Sequence, residues 1–109
     1  MESDYVLVMT TLPADADVDA FAHTLVGGRL AACVNMLPVM DSVYRWGNQV
    51  SRDGERQLFI KTSRLRLTEL WEQVRKLHPY EMPEFIVLPI VDGNAAYLRW
   101  VGESTRTTE

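Results

Sequence analysis

Apolar residues along this chain alternate between the two-residue period of a strand and the 3.6-residue period of a helix. Tyr5 to Thr11 (YVLVMTT) is a β-branched, apolar run closed by Leu12-Pro13, short enough to predict a buried strand. Val18, Phe21, Ala22, Leu25 and Val26 then recur at i, i+3, i+4, i+7 and i+8, which predicts an amphipathic helix. Asp15, Asp17 and Asp19 stand where a cap and the positive end of its dipole favour acids, and Gly27-Gly28 supplies a stop able to take positive φ. Leu30 to Tyr44 reads as a long strand interrupted at Pro38, which predicts a bulge or an edge position there. Gly47, Asn48, Ser51, Asp53 and Gly54 mark a polar connection to a third strand, Arg56 to Thr62, so the pair reads as a hairpin.

Leu67, Leu70, Trp71, Val74 and Leu77 repeat at helical spacing, with Ser63 as the expected cap and Arg75, Lys76 and His78 near the negative end of the dipole. Pro79 and Pro83 bracket a rigid segment. Phe85 to Val91 (FIVLPIV) has the continuous apolarity of a central strand covered on both faces, with a bend at Pro89. Asp92-Gly93-Asn94 predicts a turn and Ala95 to Val101 a short terminal helix, with a frayed tail from Gly102.

The resulting order is βαββαβ plus a short helix. It predicts a single α+β domain over 1–109, ordered across about 4–101, in the ferredoxin-like arrangement of an antiparallel sheet with two helices on one face. Val34, Met36, Val39, Met40 and Val43 show little polar alternation, so the second sheet face is expected to be apolar and covered by self-association.

Composition changes the picture in three ways. A formal charge of -4, with 11 basic against 15 acidic residues, offers no field for a polyanion, so nucleic acid is not expected as a partner. No apolar run approaches the length of a membrane span and the N-terminus is acidic, so a cytoplasmic protein without a membrane partner is expected. The one cysteine, Cys33, forms no intramolecular disulfide and reads as a compact core residue among small apolar neighbours, in keeping with a reducing compartment.

Candidate chemistry is concentrated between the prolines. His78, Glu81 and Glu84 combine imidazole and carboxylate donors suited to Cu(II) or Zn(II); the competing reading is a histidine that serves the helix end and glutamates that are solvated. Tyr44, Trp46, Tyr80, Tyr97 and Trp100 are aromatic residues of the kind that pack subunit contacts. No enzyme is expected. The loop after the first strand, Leu12-Pro13-Ala14-Asp15, is acidic where an acylphosphatase needs a phosphate-cradling arginine, and no nucleophile triad can be assembled. An RNA-binding surface would need basic, aromatic strands that VLVMT and LFIKT do not provide.

RLAACVNMLP (Arg29 to Pro38), SVYRW (Ser42 to Trp46), IKT (Ile60 to Thr62), HPYEMPEF (His78 to Phe85), LPI (Leu88 to Ile90) and the Gly93, Asn94, Tyr97, Leu98, Trp100 pattern occur in this order from about Tyr5 through Trp100. Together they closely resemble the CutA family of divalent-cation tolerance proteins. The resemblance implies a homotrimer of ferredoxin-like subunits, related to PII signalling proteins, that binds copper or another divalent cation weakly and has no obligatory cofactor. It makes His78 and Glu84 the first candidates for ligands. By the PII analogy, it also suggests a small-ligand-sensing or scaffolding module, in which Tyr44, Trp46, Lys61 and Tyr80 line an inter-subunit cleft for a small anion. Two positions depart from the pattern. Thr10 stands where copper-binding members have a cysteine, and Trp46-Gly47-Asn48-Gln49 replaces a charged hairpin tip.

Overall fold

The computed structural model describes residues 3–107. Strand β1 (Tyr5–Pro13) points Val6, Val8, Thr10 and Leu12 to one side, all of them buried. Helix α1 (Val18–Gly27) begins where the Asp17 carboxylate accepts the Ala20 N–H at 3.0 Å, and it buries Val18, Phe21, Ala22 and Leu25 against that strand face. Strands β2 (Cys33–Trp46) and β3 (Gln49–Ser63) form a long hairpin. A 3-10 turn, Arg64–Arg66, leads into α2 (Leu67–Leu77), whose Leu70 and Val74 complete the core. A short β4 (Ile86–Pro89) and a third helix, α3 (Ala95–Ser104), end the described chain.

The sheet is wholly antiparallel, in the order β2-β3-β1-β4, so the two strands of closest sequence, β2 and β3, form one flank while β1 lies inside. Helices α1 and α2 cover the face carrying Val6, Val8, Leu58 and Ile60. The opposite face carries Met9, Phe59 and Lys61 of the central strands, and Ile86 and Leu88 of β4. Helix α3 lies across one end of this second face. Its Val101 is fully buried, the Thr105 hydroxyl meets Ser63 at 2.9 Å, and the Tyr5 ring comes so close to Gly102 that a Cβ there would sit 3.3 Å from it.

Beyond the two helices the hairpin runs on as an arm. It raises the radius of gyration to 14.7 Å and the long axis to 45 Å, against about 13 Å expected for the radius of a compact chain of this length. A register shift between Met36 and Val39, at Pro38, interrupts the β2–β3 ladder.

Several expectations are corrected. The polar stretch 49–55 is strand, not connection, and only Gly47 and Asn48 turn the hairpin, with Gly47 at φ +61°. Cross-strand partners override local polarity there: Asp41 pairs Arg52 at 2.7 Å, and the Tyr44 hydroxyl donates to Asp53. Strand β4 is an edge strand with Ile86 and Leu88 exposed, because its apolar run answers to the uncovered face and not to a second helical layer. Gly102 to Thr105 is packed and not frayed; only 108–109 of the expected tail lie outside the described residues. Ser63 makes no side-chain cap. Val34 and Met36 pack on the core and not on the second face, while Cys33 is half-buried on that second face beside Asn35.

The stop of α1 also differs in detail. Gly28 has φ -85°, and the positive φ falls on the next residue, Arg29, at 62°. An L-residue other than glycine pays for that conformation through its Cβ. We expect Arg29→Gly to raise stability by roughly 0.5–1 kcal/mol, measured by thermal unfolding, with the sheet unchanged.

Candidate functional site

The segment between α2 and β4 turns around the end of β1. His78 closes α2 by donating its backbone N–H to Val74 at 2.9 Å, and Pro79 prevents the helix from continuing. The imidazole is buried edge-on to Phe21 of α1, with ring centroids 6.4 Å apart. Its Nε2 lies 2.6 Å from the Thr11 carbonyl, which can only accept, so this nitrogen carries the proton. The Tyr80 backbone N–H donates to Nδ1 at 3.1 Å, so that nitrogen uses its lone pair. Burial pushes the His78 pKa below its usual range, partly opposed by the bond to Thr11 and by the charge of Glu55.

Tyr80 carries the connection onward. Its hydroxyl donates to Glu55 Oε2 at 2.8 Å, and Glu55 is only 9% exposed at the base of the arm. Burial first, then the hydrogen bond and charge of Glu55, hold the phenol well above its ordinary range. A similar pair stands further along the arm. Tyr44 donates to Asp53, which raises the Tyr44 pKa chiefly through that bond. Glu84 stands just ahead of β4, where Gln57 Nε2 donates to its Oε2 at 2.9 Å and also to the Thr10 carbonyl at 3.0 Å.

The expected site residues are thus divided. Tyr80 meets Glu55 at the arm base, Tyr44 meets Asp53 further along the arm, Trp46 is 60% exposed at the arm tip, and Lys61 sits at the far end of β3 with its Nζ 5.7 Å from the Tyr97 ring centroid. His78 turns into the helical layer, Glu84 toward Gln57, and Glu81 is exposed. Among the described residues, no three His, Cys, Asp or Glu side chains are placed to hold one metal ion. Thr10 offers a hydroxyl where a soft ligand would be needed, and that hydroxyl is buried on the core face without a partner. With both His78 nitrogens engaged, the residues of one chain do not fit a copper ion. Glu55 escaped the sequence reading because a lone glutamate in a polar stretch reads as solvated. The only available signal was its position two residues from Asp53 on an extended arm.

A sheet covered by helices on one face, a hairpin arm and a tyrosine–carboxylate pair at its base define a small α+β domain with polar chemistry at its edges; the groove between α1 and Pro79 is open and mainly apolar. A family model described as CutA1 divalent ion tolerance protein matches residues 6–104, and the chain belongs to this family. The divalent-cation tolerance protein CutA of Thermus thermophilus is 43% identical over 99 residues, 91% of this chain and 96% of that protein. Protein CutA 1, chloroplastic, of Oryza sativa subsp. japonica is 42% identical over 101 residues, but the chain spans only 57% of its length. The solved structure of the Thermus thermophilus divalent cation tolerance protein matches with a TM-score of 0.90 at 42% identity, covering 94% of this chain and 99% of that one. No helix among the described residues is long and apolar enough to cross a membrane.

Two outcomes follow from this geometry. Thr10→Val keeps the shape of the side chain and removes the unpaired hydroxyl, so urea unfolding should show stability raised on the order of 1 kcal/mol. In isothermal titration, His78→Gln should leave the affinity for Cu(II) within about twofold of wild type, because the imidazole has no free nitrogen to give.

Proposed function

We propose that the chain acts as a homotrimeric divalent-cation tolerance protein of ferredoxin-like, PII-related subunits, in the cytoplasm, by binding and assembly and not by catalysis. The observation that carries this reading is the apolar surface left uncovered by a single subunit. Val39, Val43 and Val50 are each more than 60% exposed on one side of the arm, and Ile86 and Leu88 are exposed on the second sheet face. Apolar area of this kind, continuous with an edge strand, is what obligate self-association buries.

Divalent cations enter as weakly held ions of the assembled particle, drawn by three times the -4 charge of one chain. Ligand sets for them are completed between subunits, since no ligand group forms within the described residues of one. Lys61 favours a second reading, a small anion held in an inter-subunit cleft: it makes no ion pair with any described residue and faces the open sheet surface beside Tyr97.

Light scattering coupled to size exclusion should give three times 12.5 kDa. Val43→Asp, which places a charge on the exposed arm, should shift the mass toward a single chain. A wild-type mass of 12.5 kDa at micromolar concentration would remove the trimer reading.

A further inference from the structure

We propose that His78, Tyr80 and Glu55 form a pH-sensitive latch that fastens the α2–β4 connection to the base of the arm and opens when His78 takes up a proton. The two ring bonds of His78 require opposite things of its nitrogens. Nε2 must donate to the Thr11 carbonyl, and Nδ1 must accept from the Tyr80 N–H. Only the neutral Nε2–H tautomer satisfies both. A proton arriving at Nδ1 removes that lone pair and sets an N–H against the N–H of Tyr80, at a ring that is only 7% exposed. The same residue, Tyr80, supplies the hydroxyl that holds the buried Glu55 carboxylate, so losing its backbone anchor loosens the contact with the arm.

The charged surroundings do not rescue the protonated ring. Glu55 of β3 acts on it through space and favours the proton, but burial outweighs that contribution. Asp17, from α1, lines the neighbouring groove with its carboxylate committed to the Ala20 N–H. Arg75 and Lys76 on the last turn of α2 are exposed, and Arg75 is paired with Glu72. Strand β1 contributes only the Thr11 carbonyl, while Glu84, ahead of β4, faces Gln57.

The sign follows from this arrangement. A histidine whose pKa is lowered in the closed state takes its proton more readily when released. The latch is therefore fully stable above about pH 6.5 and weakens as the pH falls below it.

The test uses the full chain, ¹⁵N-labelled, with His23→Gln to leave one histidine signal. At pH 7.5 the ring shifts should report Nδ1 bare and Nε2 protonated. Between pH 7.5 and 5, amide exchange at Tyr80, with its intrinsic chemistry divided out, should show opening that rises toward tenfold per pH unit below about 6.5. In His78→Gln it should be flat. Ring shifts showing a proton on Nδ1 at pH 7.5, a flat wild-type profile, or an unchanged slope in His78→Gln would each overturn the latch. The first two are read on a chain with His78 in place, so they decide even where His78→Gln does not fold.

Discussion

Two helices cannot cover both faces of a four-stranded sheet, and most of what distinguishes this molecule follows from that shortage. Helices α1 and α2 go to the face carrying Val6, Val8, Leu58 and Ile60, which forms the buried core. Helix α3 reaches only one end of the other face, and the hairpin continues past the helical layer with valines in water. A small domain of this kind has too few elements to bury all of its apolar surface. Its chemistry is correspondingly pushed to edges and connections, which explains why the functional groups lie where strands leave the core.

Among the described residues, the buried polar side chains of this corner are answered except at Thr10. His78 and Glu55 are each answered, and by parts of the same residue: the Tyr80 amide serves the first and the Tyr80 hydroxyl the second. The Thr10 hydroxyl has nothing to bond to. That contrast separates two roles within one corner of the fold. The histidine acts as a structural fastener with a defined tautomer, whereas the threonine marks a place where the core tolerates an unmet donor.

Much of the fold was legible because its signals are local and periodic. The i, i+3, i+4 stripe from Val18 to Val26 and the Leu67 to Leu77 repeat yielded both core helices, and Pro38 announced the bulge. Misreadings came where a distant partner decides the structure. Arg52 and Asp53 look like loop residues until Asp41 and Tyr44 of the strand opposite supply the pairing charge and hydroxyl. Apolar continuity in FIVLPIV could not tell a covered strand from an edge facing open apolar surface. For the site, residue type identified His78 as important but not its role, because the direction of its two hydrogen bonds depends on Thr11, far away in sequence.

The register shift at Pro38 has a consequence for how this surface can change. Before it, Val34 and Met36 share the face of Ile60 and Leu58; after it, the side-chain alternation of β2 is out of phase, so odd-numbered Val39 and Val43 follow the same face as Arg56 and Arg52. The bulge works as a phase boundary. Core packing on one side and the arm on the other are written in separate reading frames of the β2 pleat, so the exposed β2 positions of the arm can vary without touching the residues that pack the core.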